Sequence, residues 1–138
     1  MKAAIIDSSV FLALEDPAEV HHEAARSALE NSRTEGVTFA TTNFVFDEAY
    51  TLILSRLGRD RAIAWGTALR ASSMVRVLRV TQADEERAWD ILSSFDDKLF
   101  SYTDATTFAV AESTGIDGAL ALDQHFVQWG RLEVRPLP

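Results

Sequence analysis

Three aspartates stand where a folded chain can bring charge together. Asp7 directly follows the apolar run Lys2 to Ile6, and Asp123 directly follows the apolar run Gly118 to Leu122. Asp104 opens a helical segment that precedes the second run. Carboxylates held within a few ångströms raise each other's pKa unless a cation lies between them. A donor set made only of carboxylate oxygens suits a hard divalent ion such as Mg²⁺ or Mn²⁺. The chain has no Cys and only three His, so a thiolate or spaced-histidine zinc site is not expected. His21 and His22 are adjacent, so their side chains diverge on a helix and read as surface positions. His125, two residues beyond Asp123, reads mainly as part of the first turn of a short helix, within reach of the same place. Each aspartate also sits where a helix cap would, and taken singly a cap explains it. Two such carboxylates on one sheet edge are harder to explain by capping alone.

A fourth carboxylate comes from the helical segment Phe44 to Leu57, which offers two candidates. With the apolar set from Val45 to Leu57 centred on one direction, Asp47 and Glu48 fall about 130° away on opposite flanks. Periodicity therefore leaves the choice open, and both residues also read as the solvated borders of the apolar stripe.

The elements that must position these acids are legible as alternating strands and helices. Apolar or β-branched runs at Lys2–Ile6, Val37–Thr41, Val75–Val80 and Gly118–Leu122 predict strands, with a last edge strand near Leu132–Val134 that Pro136 terminates. Between them, helices are expected from Ser8 to Leu14, from Ala18 to about Ser32, from Phe44 to Leu57 and from Arg59 through Leu69. Others follow Thr81, run from Tyr102 to Ser113, and lie between Asp123 and Gly130. Strands that read as continuous apolar runs predict a mostly parallel sheet of four to five strands covered on both faces, an α/β fold. In such sheets ligands bind outside the carboxyl ends of the strands. Asp7 and Asp123 must then share one edge. Whether Asp104 joins them depends on how Phe95 to Thr103 is routed, which spacing leaves open.

A length of 138 residues fits one domain, and 47% hydrophobic with 25% charged residues predicts an ordinary globular core. The absence of Cys fits a cytoplasmic protein, Asp7 comes too early for a signal peptide, and no apolar run reaches membrane-spanning length. A net charge of −8 has the wrong sign for a protein held on nucleic acid by its overall field, so such binding needs local arrangement. Arg59, Arg61 and Arg131 are possible contacts to a nucleic-acid backbone, with a solvated surface as their default. No G-x-S-x-G, Walker A, G-x-G-x-x-G or H-E-x-x-H signature is present. Position 9 is Ser, so the Asp-x-Asp of aspartyl phosphatases is missing too. Metal-assisted hydrolysis without a covalent intermediate fits best.

Four segments, Ile5 to Phe11, Thr41 to Tyr50, Phe100 to Ala109 and Ala121 to Phe126 with Gly130, together resemble the PIN-domain ribonucleases, and most nearly the VapC-like toxins. The resemblance runs the length of the chain in order. It implies a three-layer PIN-like nuclease domain over residues 1–138, with metal-binding acids at Asp7, Glu48, Asp104 and Asp123. It thereby selects Glu48 over Asp47 and brings Asp104 to the shared pocket. Asp7 and Asp104 are implied as direct ligands of Mg²⁺ or Mn²⁺, and Glu48 and Asp123 as ligands directly or through water. Ser8, Ser9 and Thr103 are implied beside the metal or the scissile phosphate, with Ser8 standing where Thr is common. The implied activity is hydrolysis of RNA phosphodiester bonds by the toxin of a toxin–antitoxin pair, with a cognate antitoxin and a homodimer as partners. Apolar residues in Ala18 to Leu29 and Phe44 to Trp65 offer surface for such partners, although core packing explains most of them. The rival expectations are a PIN-fold nuclease of RNA processing outside toxin systems and a non-catalytic acidic module that binds a cation.

Overall fold

The computed structural model describes residues 1–136. Five strands, β1 (Ala3–Ile6), β2 (Thr38–Thr42), β3 (Val75–Leu78), β4 (Gly118–Leu120) and β5 (Glu133–Arg135), form one sheet in the order β3-β2-β1-β4-β5. Every pairing is parallel, with Ile5 of β1 opposite Ala40 of β2 and Ala119 of β4. Seven helices connect them among the described residues. After β1 come α1 (Ser8–Glu15) and α2 (His22–Thr34), and after β2 come α3 (Asn43–Leu57) and α4 (Arg59–Ala71). The connection from β3 to β4 carries α5 (Gln82–Ser94) and α6 (Tyr102–Thr114), and α7 (Gln124–Trp129) precedes β5. Among the described residues, no helix is long and apolar enough to cross a membrane.

Both faces of the sheet are covered, which is why its strands read as unbroken apolar runs. Alternate residues of β1 feed different cores: Ala4 and Ile6 pack with Val10, Val45, Ile53 and Trp65, whereas Ile5 packs with Ile91, Phe108 and Phe126. The second core is tightened by Phe108, whose ring stacks on Trp129 with centroids 4.7 Å apart. Strand order turns back at β1, since β2 and β3 extend to one side of it and β4 and β5 to the other. The crevice above the junction of β1 and β4 is therefore where this architecture offers a ligand site.

Helix starts follow the expected chemistry. The Thr42 hydroxyl accepts from the Val45 amide at 3.0 Å, and Thr81 with Asp84 forms a reciprocal capping box at the start of α5. Gly58, at φ 91°, makes the break between α3 and α4 that a side chain would strain. Some boundaries differ from expectation. Helix α2 begins at His22 and not at Ala18, because the Asp16 side chain accepts from the Ala18 amide at 3.0 Å and holds the residues after Pro17 in a turn. Strand β3 stops at Leu78, after which the Val80 amide donates to the Asn43 side chain at 2.8 Å. Strand β4 stops at Leu120, and the Leu122 amide donates to the Ser9 hydroxyl at 3.2 Å. Strand β5 lies one residue later than the predicted edge strand.

Candidate metal centre

Asp7 is where β1 becomes α1. Its amide continues the sheet pairing by donating to the Leu120 carbonyl at 2.9 Å, which turns its side chain into the crevice. That carboxylate caps α1, taking the Ser9 hydroxyl at 2.7 Å and the Ser9 amide at 3.4 Å, and is 3% exposed. Its pKa is raised from 3.8 to about 7, chiefly by burial, with the Asp104 and Glu48 carboxylates adding to the rise and the Ser9 hydroxyl opposing it. Ser9 also ties the start of α1 to the chain after β4, since the same hydroxyl accepts from Leu122.

Glu48 reaches the crevice from α3 and accepts a hydrogen bond from the Ser8 hydroxyl. Asp47, its neighbour, is exposed to solvent. The geometry thus separates two residues that periodicity could not.

Asp104 is buried at the third position of α6 and forms a capping box with Ser101, whose amide donates to the Asp104 carboxylate at 3.0 Å. The routing left open by spacing is fixed by Phe100, a buried ring 5.2 Å from Phe108 and 5.4 Å from Phe95. That anchor brings the first turn of α6 to the carboxyl edge of the sheet. Asp123 caps α7, accepting the His125 amide at 2.9 Å. The His125 ring, edge-on to Phe100, sets its Nδ1 2.7 Å from Asp104 and 3.3 Å from Asp123. One donor atom each from Asp104, Asp123 and His125 lies within 4.8 Å of the others.

The four acids therefore meet through two linked groups. Asp7 lies close enough to Asp104 and Glu48 for their charges to raise its pKa, and Asp104 continues into the group with Asp123 and His125. Among the described residues, no Lys or Arg lies within 4 Å of these four acids, and the basic side chain beside them is the His125 ring. Such a set fits a divalent cation. Two ligands each about 2.1 Å from one ion and at right angles stand about 3.0 Å apart, and the separations around His125 bracket that value.

The remaining candidates divide. Thr103 is half-buried and its carbonyl accepts the Thr106 and Thr107 hydroxyls, while its own hydroxyl makes no hydrogen bond among the described residues. Arg59, Arg61 and Arg131 pair with Asp60, Glu15 and Glu112. His22 is less of a surface residue than expected, its Nδ1 lying 2.7 Å from the Ala13 carbonyl. His125 is the member of the cluster that the sequence put mainly in a helix turn. It does both, and its two-residue offset from Asp123 was the available signal.

A five-stranded parallel sheet with acids gathered at its switch point is the architecture of a PIN domain. The chain belongs to the PIN domain family, whose match covers residues 4–132. Within it the chain is of the VapC type. It is 39% identical over 131 residues to the 23S rRNA-specific endonuclease VapC20 of Mycobacterium tuberculosis, spanning 95% of this chain and 97% of that protein. The crystal structure of Mycobacterium tuberculosis VapC20, described as a Sarcin-Ricin loop cleaving toxin, superposes with a TM-score of 0.87 at 35% identity over 96% of this chain and 99% of that one. VapBC2 from Rickettsia felis, bound to a DNA fragment from its promoter, shares the fold at a TM-score of 0.73 and 8% identity, with 96% and 97% of the chains covered.

Proposed function

We propose that this chain is a metal-dependent endoribonuclease that hydrolyses RNA phosphodiester bonds, acting as the toxin of a toxin–antitoxin pair, with residues 1–138 serving as one nuclease domain. The observation that carries this reading is Asp7, a buried carboxyl raised to about 7 and flanked by two further acids. A protein keeps such a group where a cation will meet it. Likeness to VapC20 supplies the substrate class, a structured loop of ribosomal RNA.

In this scheme Asp7 and Asp104 hold Mg²⁺ or Mn²⁺ directly, and Glu48 and Asp123 complete the shell directly or through water. The ion, when bound, polarises the phosphate and makes water a better nucleophile at neutral pH. The Ser9 hydroxyl keeps the Asp7 carboxylate turned toward the crevice, and Ser8 does the same for Glu48. His125 sets the spacing of Asp104 and Asp123. Thr103, beside Asp104 in the first turn of α6, is the remaining candidate next to the phosphate in this scheme. A cognate antitoxin covers the acids in the resting complex, the active form is a homodimer, and both work in the cytoplasm.

The test is purified protein incubated with a stem-loop taken from 23S rRNA, first in EDTA and then with Mg²⁺ or Mn²⁺ restored. Cutting that appears only with the ion supports the reading. A folded protein that leaves the RNA whole under all three conditions overturns it.

A further inference from the structure

The chain carries a net charge of −8 and yet must approach a polyanion, so cations not already neutralised matter most. Most arginines are paired: Arg33 with Glu30, Arg87 and Arg131 with Glu112, and Arg135 with Glu35 and Glu133. Arg56, Arg70, Arg76 and Arg79 are not, and the last three lie together. All three are exposed, none has a carboxylate within 4 Å among the described residues, and all three line one cavity of about 630 Å³. No acid lines it. Its remaining wall is Asn43, Phe46, Leu69, Ser72, Val75 and Val77.

The place of this groove in the fold gives it a direction. It runs beside β3, the edge strand of the sheet, with Arg70 on the end of α4, Arg76 on the strand and Arg79 just past the strand's carboxyl end. In a parallel sheet that end lies on the same edge as Asp7. Thr42 pairs with Leu78, which sets Asn43 beside Arg79 at the mouth of the groove, and the Asn43 side chain fastens the backbone there through Val80. Two strand spacings, about 10 Å, separate β3 from β1 and its aspartate. Planar guanidinium groups without internal partners, arrayed along a path toward a hydrolytic centre, suit a chain of phosphates.

We propose that the groove lined by Arg70, Arg76 and Arg79 holds the phosphodiester backbone of the RNA strand flanking the bond to be cut. This rests on the nuclease reading and gives it a binding track. It also explains how an acidic protein engages RNA: the field that matters is local, on the side of the sheet that β3 closes.

The test measures binding of a labelled RNA stem-loop to the Asp7→Asn protein, which would hold RNA without cutting it, across a range of salt. In that background R70A/R76A/R79A should weaken binding roughly 10- to 100-fold and lower the slope of log affinity against log salt by about 2. R70K/R76K/R79K should retain most of the slope, because the charges remain. Since the three side chains have no internal partner, melting temperature should not move, nor should Mn²⁺ affinity when the same three changes are made with Asp7 intact. Unchanged RNA affinity and slope in the alanine variant would overturn the proposal. So would loss of binding to a polyglutamate peptide with RNA affinity intact, which would assign the groove to an acidic protein segment. Wild-type protein that leaves RNA uncut in Mn²⁺, while the alanine variant still loses RNA binding, would support the groove and overturn the nuclease reading.

Discussion

The Nδ1 atom of His125 lies 2.7 Å from the carboxylate of Asp104 and 3.3 Å from that of Asp123. Two helix starts, α6 and α7, are thereby joined through one imidazole at the carboxyl edge of the sheet. Asp104 also lies close enough to Asp7 to raise its pKa, so the ring and the first aspartate share one neighbour.

If the ring contributes to the metal site, removing it should change which ion is preferred as well as how tightly it binds. An imidazole nitrogen favours Mn²⁺ over Mg²⁺ relative to an all-oxygen set. H125A should weaken Mn²⁺ binding roughly 10- to 100-fold, with a smaller loss for Mg²⁺. Calorimetric titration of both ions onto the folded variant checks this, and equal losses for the two would assign His125 to spacing alone.

The raised pKa of Asp7 makes a prediction about stability without metal. A carboxyl at about 7 in the folded protein and near 3.8 when unfolded binds its proton more tightly in the fold. That contribution is fully present below pH 3.8 and is lost as pH rises through about 7. In EDTA the wild type should therefore be less stable at pH 8 than at pH 5 through this group, by on the order of 2 to 4 kcal/mol. D7N should remove most of that difference and should melt higher than the wild type at pH 8. Thermal denaturation at the two pH values measures it. Adding Mn²⁺ at pH 8 should reverse the order by stabilising the wild type more.

Ser9 serves two partners, so S9A should act twice. It leaves the Leu122 amide without its acceptor and Asp7 without its shortest hydrogen bond, costing about 1 to 2 kcal/mol in urea unfolding. Because the Ser9 hydroxyl holds the Asp7 pKa down, its loss should also move the pH midpoint of Mn²⁺ binding upward.

Phe100 positions Asp104 without touching the proposed ion. F100A removes a buried ring from between Phe95 and Phe108 and should cost about 3 to 5 kcal/mol. The conservative F100L should restore most of the stability. If the routing of this segment sets Asp104, Mn²⁺ affinity should follow the same order: wild type, then leucine, then alanine.

Much of the fold is legible in the sequence. The strands are apolar because both faces of the sheet are covered, and that alone put Asp7 and Asp123 on one edge. Asp104 was not placed by spacing, because its position depends on Phe100 meeting Phe108, a contact between side chains eight residues apart. Asp47 and Glu48 flank the apolar stripe of α3 symmetrically, so only the family pattern or the geometry separates them, and Ser8 is the partner that marks Glu48. Of the arginines, the sequence singles out Arg59, Arg61 and Arg131 as possible backbone contacts, but the fold supplies each of these with a carboxylate and leaves Arg70, Arg76 and Arg79, which no linear motif marks, without one.

Anomalous diffraction at the manganese edge, from a crystal soaked in Mn²⁺, tests the central claim most directly. The account predicts a peak in the crevice above the junction of β1 and β4, within about 2.3 Å of carboxylate oxygens of both Asp7 and Asp104. An empty crevice at saturating Mn²⁺, or a peak bound elsewhere with these two carboxylates turned apart, would contradict it.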